Sequence, residues 1–568
     1  MSHAHFSHLS DARYGYDFVV ATTSKAINHV VKKYLHGHSG PRVGCCYIYK
    51  DDKEVQLTLD EFSSICKTDP FAIDDGTDVK DPRIEDLNKV QFIRGWWARI
   101  GLPPVDDQRE LDDLVELGQS SETVKFKMYC ADFQIVSYME GGRFKKDTWL
   151  NVSQPKDKPW TFTSQVNLSW HTVDWEKDWK SLPSDVRNAT EKLNRELEED
   201  IFGIEQLILD LETAKLMAET PQIDGVPKGT PEYTMLLETF LGIYFDDAKR
   251  QGNPLLSCAI KMKPRPATET PPTLNLTDFQ YSVSPYVGLD GKPVENPDDK
   301  QKSAGTINYL CAADGHTLPE ATRFSWNWMD VSELNQAHGV ISIQRDTLAA
   351  HMASQLMPYM LSKAIKPNFY FDAKWPFPTL TWDFSKTATA DAGRVTKEGP
   401  IVYKMDWDSG NYTETYRFGV NYITARVYYE ASIKFRFNTI VINQHFRFYT
   451  KAKAGFEWGE AYIIDHALTD TYEISINNEG KLEANCTEGK LVDNSKELKC
   501  AFWGPSFDQG IKNLITDKTR IKSPKIEHFP ISFIQDYVFP GGQAFVFKNV
   551  VFSDHQDLVS HITYADRR

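Results

Sequence analysis

The sequence predicts an α+β protein built of elongated, highly curved, long-stranded antiparallel sheets laid around long amphipathic helices. Three observations carry that expectation. First, Ile423, Ala425, Val427, Tyr429, Ala431, Ile433, Phe435 and Phe437 alternate with polar partners from Thr424 to Asn438, a period of two held over 16 residues. At about 3.3 Å per residue such a strand spans roughly 50 Å, too long for a small barrel or sandwich. Second, several segments repeat apolar residues at helical spacing and need a sheet face to cover them. Third, the chain holds 14 Trp, 25 Tyr and 32 Phe, many alternating on strand-like runs where aromatics pack beneath a helix.

Taken in chain order, Thr22 or Thr23 caps a helix in which Ala26, Ile27, Val30, Val31, Tyr34 and Leu35 share one face. It ends at the Gly37, Gly40, Pro41 cluster. RVGCCYIYKDDKEVQLTLDEF reads as a hairpin about Asp51-Asp52, with Val55, Leu57 and Leu59 on one side of its second arm. Strand-like runs such as VKFKMYCADFQIVSYMEGG follow. From Pro183 the period changes. Val186, Ala189, Leu193, Leu197, Ile201, Ile204, Ile208 and Leu211 mark a helix of about 30 residues, and PEYTMLLETFLGIYFDDAKRQG forms a second.

KPRPATETPPT, residues 263–273, is the most Pro-rich stretch and the expected joint between halves at 1–268 and 269–568, which are free to interleave. Beyond it Phe279, Tyr281 and Val283 alternate, as do Phe324, Trp326 and Trp328, both read as strands. A helix capped by Asp346 carries Leu348, Met352 and Leu356 and stops before Pro358.

The 568 residues are 41% hydrophobic and 25% charged, an ordinary globular composition. Net charge is −15, so the surface as a whole repels nucleic acid, and no nucleic-acid partner is expected. No run reaches the roughly 18 apolar residues of a membrane span; peripheral membrane contact stays open. The polar, His-rich start predicts synthesis in the cytoplasm without a secretory signal, with leaderless release left open. Eight Cys lie mostly in apolar runs and read as free thiols; Cys486 and Cys500 alone flank a polar stretch and form the pair to test for a bridge.

Catalytic signatures are missing: no phosphate loop, GxGxxG, HExxH, CxxC or GxSxG occurs, so no cofactor and no metal is expected. The histidines at 3, 5, 8, 36 and 38 read as solvated loop residues. Adjacent Cys45 and Cys46 point to opposite faces of a strand, and structural burial outweighs a nucleophilic role. Arg447, Lys451 and Lys453, near Phe446, Phe448 and Tyr449, read as the outer face of a strand and not as a nucleic-acid platform. What remains is an apolar crevice between helix and sheet, the default place for a greasy ligand. Val30, Val31, Leu348, Met352, Val427, Tyr429 and Ile433 are its expected lining, each also placed to be plain core.

The opening YGYDFVVATTSKAINHVVKKYL resembles the start of the clostridial forty-seven-kilodalton protein family, encoded beside OrfX proteins in botulinum neurotoxin gene clusters. Gly15, Asp17, Thr23, Ser24 and Asn28 match that pattern, and Tyr16 stands where it has Trp. SPYVGLDGKPVEN through GTINYLCAADGHTLP, FSWNWMDVSELNQAHGVISIQRDTLAAHM and FPGGQAFVFKNVVFSDHQDLVSHITY also resemble it, spreading the likeness over nearly the whole chain. The family is similar to the tubular lipid-binding (TULIP) superfamily, where a curved antiparallel sheet wraps a long helix. The resemblance implies binding of a lipid, a phosphoinositide or another hydrophobic small molecule, and an accessory role with other proteins of a toxin or secreted-factor cluster. It also leaves room for a helical insertion near 184–252. Two alternatives stand beside this non-enzymatic binder: an isomerase- or cyclase-type enzyme using the same cavity, and an assembly subunit whose crevice its own side chains fill.

Overall fold

The computed structural model describes residues 3–36, 40–104, 111–118, 123–139, 146–156, 159–197, 201–216, 229–250, 255–262, 274–372, 379–386, 393–397, 399–416, 421–499, 518–524, 526 and 535–564. The joint at 263–273, His38 and Cys500 lie outside them. Among the described residues every strand pairing is antiparallel. The α+β class is therefore observed, with several open antiparallel sheets in place of a closed barrel.

A six-stranded sheet runs in the order Leu276–Ser284, Thr306–Ala313, Phe18–Thr23, Gly339–Ile343, Leu558–Tyr564, Phe545–Phe552. The start of the chain thus lies between two strands some three hundred residues later, and the last strand closes on the same group. Every residue of Phe18–Thr23 and Thr306–Ala313 is buried, because both faces of the sheet are covered. One buried carboxylate ties the three regions together: Asp557 accepts from Ser7 Oγ at 2.8 Å, Leu9 N at 2.6 Å and Arg345 N at 2.9 Å. Burial pushes its carboxyl up to about 6 against those three donors.

Helix α1 (Ser24–His36) leaves this sheet directly. Thr23 caps it as expected: its Oγ1 accepts from Ala26 N at 3.2 Å while donating to His338 O at 2.9 Å. The hairpin of Val43–Lys50 and Lys53–Thr58 also forms where expected, with Asp51 and Asp52 both at positive φ, as a two-residue turn of this kind requires. Leu59 departs from the expectation. It opens a short helix, because Thr58 and Glu61 form a reciprocal capping box that stops the strand.

The hairpin belongs to a ten-stranded sheet that continues through Phe92–Ile100, Thr123–Met139, Thr161–Thr172, Ile201–Leu216, Leu255–Met262 and Val538–Pro540. Here the expected 30-residue helix fails. Helix α2 (Ser184–Leu197) ends early, and Ile201–Leu216 is a strand held on both sides, with Leu209 opposite Leu168 and Ile204 opposite Ile260. Ile204, Leu207 and Leu209 are buried, whereas the helical reading needed Ile204 and Ile208. Two neighbouring strands offer this backbone a ladder, and their pairing overrides a helical spacing that the sequence also satisfies. The stretch 184–252 is thus not helical throughout: a strand separates its two helices. Helix α3 (Pro231–Arg250) does form, and its Phe240 ring sits 4.1 Å from Phe162 and 5.6 Å from Trp96 over this sheet.

Phe324, Trp326 and Trp328 are not on a strand; they pack, largely edge to face, in a loop cluster with Tyr14 and Tyr16. Between them, Asn327 donates to Val287 O and accepts from Val287 N, both at 2.8 Å, supplying with a side chain the pairing a strand neighbour would have supplied. Helix α4 (Arg345–Lys363) starts one residue before Asp346 and runs through Pro358. Met360 and Lys363, buried in the turn beyond, hold that turn in place against the bond that Pro removes.

The third large sheet holds the long strands: β1 (Ile401–Asp408), β2 (Asn421–Arg436), β3 (Thr439–Ala454) and β4 (Glu457–Ile476). Strand β2 alternates buried and half-buried residues from Ile423 to Phe435, as the sequence predicts. Phe437 breaks the pattern: it stands at a turn with φ 54° and is exposed. Helix α4 packs on β1 and β2 of this sheet.

Candidate functional site

The inward faces of β2, β3 and β4 and helix α4 enclose an apolar layer. Leu348, Met352, Leu356 and Met360 of α4, Val427, Ala431 and Ile433 of β2, and Ile440, Ile442 and Phe446 of β3 all belong to one core cluster, in which α4 packs on β1 and β2. Of the seven side chains named from the sequence, Val31, Leu348, Met352, Val427, Tyr429 and Ile433 are sealed at 0–1% exposure. The structure therefore brings five of them, on α4 and β2, into one layer. Val30 is half-buried on α1 beside the turn at Gly541, whose Cα has no room for a Cβ: one would stand 2.6 Å from Val30 Cγ2.

One turn further along α4 the packing opens. A crevice of about 470 Å³ lies between Gln355, Leu356 and Tyr359 of α4, Leu468 of β4, the loop at Glu488–Leu491, and the segment from Ile521 to Pro524. None of the seven named residues lines it. Its construction rests on polar side chains placed on the inward, otherwise apolar faces of the strands. Tyr359 Oη donates to Lys522 O at 2.7 Å and accepts from Lys522 N at 2.8 Å. Gln444 of β3 donates to the same carbonyl at 3.0 Å and accepts from Tyr429 Oη at 3.2 Å. Tyr472 donates to Pro524 O, and Ser523 donates to Asp470 Oδ1 at 2.7 Å. Asp470 Oδ1 also accepts from Gly489 N at 3.0 Å. Its buried Oδ2 has no hydrogen-bond partner among the described residues.

These bonds make residues 521–524 a strap across the mouth of the layer. Gly489 is obligatory beside it, since a Cβ there would meet Thr469 O at 1.8 Å. The sequence reading missed the strap's anchors. Their signal was available: Gln444 and Asp470 occupy inward positions of period-two runs, where an apolar residue is the default.

The phenols around the crevice keep their protons. Burial pushes the Tyr359 phenol up to about 12, and Tyr429 and Tyr472 higher still, so all three stay protonated at neutral pH. Cys45, buried in the ten-stranded sheet, is pushed up to about 11 by burial, and Cys46 above that, which suits packing and not nucleophilic attack. Cys486 is exposed. Asp298 is exposed and caps the short helix Asp299–Ala304 through a capping box with Gln301.

A larger concavity, about 870 Å³, lies on the outer face of α1 between Lys25, His29, Lys32 and Lys33 and the facing Asp113, Lys300 and Leu334. Lys32 Nζ donates to Leu111 O at 2.6 Å and stands 3.9 Å from Asp113 Oδ1. Burial lowers the Lys32 ammonium and raises the Asp113 carboxyl from their ordinary values. Its accessible lining is more apolar than that of the crevice, although Lys25, Lys32, Lys33 and Lys300 bring charge to it. Among the described residues no helix is long and apolar enough to cross a membrane, and no group of three potential metal ligands converges.

No protein-family model matches the chain, and no curated protein matches it in sequence. Solved structures are similar to it, among them the following three. P47 of Clostridium botulinum E1 is 11% identical with a TM-score of 0.40, over 97% of this chain and 100% of that one. P47 from Clostridium botulinum A2 is 12% identical with a TM-score of 0.42, over 98% and 100%. A lipopolysaccharide binding protein is 7% identical with a TM-score of 0.28, over 97% and 99%. Two of the three carry the name of the clostridial family that the quoted sequence blocks resemble.

Proposed function

We propose that the chain is a non-catalytic binder of a lipid or another hydrophobic small molecule, held in the crevice between α4 and the long-stranded sheet. The observation that supports this is the opening at Leu356, Tyr359 and Leu468, where packing gives way to about 470 Å³ of space beside a mainly apolar layer. In this reading Leu356, Leu468, Leu491 and Ile521 touch the ligand. Leu348, Met352, Val427, Tyr429 and Ile433 form the wall behind, and Val30 and Val31 serve α1 packing. An accessory role in a toxin or secreted-factor cluster rests on the sequence resemblance alone.

The strap favours a second reading, in which residues 521–524 themselves fill the crevice and the function lies in protein contacts. Organic extraction of the purified chain with mass spectrometry, paired with native mass spectrometry, separates the two. The binder reading expects a stoichiometric co-purifying amphiphile that Leu468→Trp displaces by filling the opening. An empty protein that also takes up no fluorescent fatty acid removes the binder reading and leaves the self-filled crevice.

A further inference from the structure

The outer end of the long sheet carries a feature that the crevice does not use. Strands β3 and β4 pair without interruption of direction from Thr439↔Glu473 to Ala454↔Glu457, so their connection lies a full strand length from the opposite turn. The connection is only Gly455 and Phe456, with the glycine alone of the two at positive φ, the glycine-first arrangement of a tight hairpin turn. Such a turn presents its second residue outward. Phe456 is 106% exposed and Trp458 61% exposed, two large aromatic side chains at one tip.

Ordinary surfaces scatter single apolar residues; a paired Phe and Trp at the end of a hairpin is a different pattern. Its surroundings are specific as well. Lys453 stands opposite Trp458 in the ladder and has no acidic partner among the described residues, and Lys451 Nζ lies 5.5 Å above the Trp458 ring. Within the hairpin end itself Glu457 and Glu460 balance these two lysines, on a chain whose net charge is −15. Aromatic rings beside long cationic side chains, with no net charge, fit the polar–apolar boundary of a bilayer: rings enter the acyl boundary while ammonium groups remain at the headgroups.

We propose that the β3–β4 tip is a membrane-docking finger that inserts Phe456 and Trp458 into an uncharged, phosphatidylcholine-type lipid surface. The contact is driven by ring burial, with the lysines positioned at the headgroups. Anionic lipid weakens it, since the chain as a whole is acidic and repels that surface. The inference goes beyond ligand binding in the crevice and does not need it: a crevice filled by its own strap leaves the tip unchanged.

The test is flotation of the full chain with phosphatidylcholine vesicles, prepared with and without phosphatidylserine. The expected result is partition onto the neutral vesicles that falls at least tenfold, equivalent to about 1.4 kcal/mol, in Phe456→Ser/Trp458→Ser. Phe456→Trp retains it, and Leu289→Ser, removing a side chain that is 104% exposed elsewhere, leaves it unchanged. Since all these positions are exposed, thermal unfolding of the variants matches the parent. Equal flotation of the double variant overturns the proposal. So does flotation that requires phosphatidylserine, which places binding on a basic surface. A parent chain that ignores both vesicles also overturns it, and concentration-dependent self-association lost in the double variant then assigns the tip to a contact between copies.

Discussion

Replacing Ile433 by Asp separates a sealed layer from an open tunnel. Ile433 is 0% exposed and stands in the ladder between Ile442 of β3 and Tyr403 of β1. Two terms add. Truncating a buried Ile costs about 2–5 kcal/mol, from lost burial and the space left behind. The new carboxyl has no partner there, so it folds protonated, and holding it protonated at pH 7 against a free value of about 3.9 costs about 4 kcal/mol at 1.36 kcal/mol per pH unit. The sum, about 6–9 kcal/mol, rivals the 5–15 kcal/mol that keeps a typical domain folded. Because the folded pKa is raised, the second term is absent below pH 4 and grows as pH rises toward neutral. The variant therefore regains about 4 kcal/mol on acidification relative to the parent, while Ile433→Val loses only about 1 kcal/mol at any pH. Urea unfolding followed by near-ultraviolet circular dichroism at pH 4 and pH 7 measures both. A variant with the parent's midpoint at pH 7 refutes the reasoning, since it means that water or a ligand-sized space reaches position 433.

Other perturbations probe separate parts of the chain. Asp557 has its carboxyl raised from 3.8 to about 6 by burial, so its protonated form belongs to the folded state. Its contribution is complete below about pH 4 and is lost as pH rises through 6, a change of about 3 kcal/mol relative to non-titrating Asp557→Asn; parallel stability curves for the two proteins between pH 4 and 7 would sink this assignment. Tyr359→Phe removes both bonds to Lys522 and costs about 1–2 kcal/mol. Faster hydrogen exchange at the Lys522 amide reports it, and unchanged exchange means the strap is held otherwise. Pro358→Ala returns a hydrogen bond to the middle of α4 and raises stability by about 1–3 kcal/mol in thermal unfolding; a loss instead would show that the Pro ring is needed for packing. Thr23→Ala removes the α1 cap and lowers stability by about 1 kcal/mol, whereas an unchanged melting temperature would put the cap's work on another group.

Local signals that answer to local physics were legible. The Thr23 cap, the Asp51-Asp52 turn and the period of two in β2 each depend on residues within a few positions of one another, and each appears where its pattern stands. The apolar layer of the candidate site was legible in the same way, since Leu348, Met352, Val427, Tyr429 and Ile433 follow from two periodicities. Two local readings failed where a partner distant in sequence decided the outcome. Ile201–Leu216 has a spacing that serves helix or strand, and the strands flanking it settled the matter. Phe324, Trp326 and Trp328 alternate, but Asn327 pairs with Val287 and leaves the rings to pack against Tyr14 and Tyr16.

By itself, then, the chain's pattern determined the α+β class, the long strands, the Thr23 cap and which side chains avoid water, because these depend on hydrophobic period and on hydrogen bonds that neighbours in sequence can make. Only the tertiary structure decided where the packing stops. Whether an apolar residue is sealed or borders a crevice depends on what stands on its far side. For α4 that is Leu468, 112 positions after Leu356, and a strap near Lys522 anchored by Gln444 and Asp470. The same holds for the ends of the chain, which meet at Asp557 because a buried carboxylate must find donors, and Ser7, Leu9 and Arg345 are the ones the fold brings there.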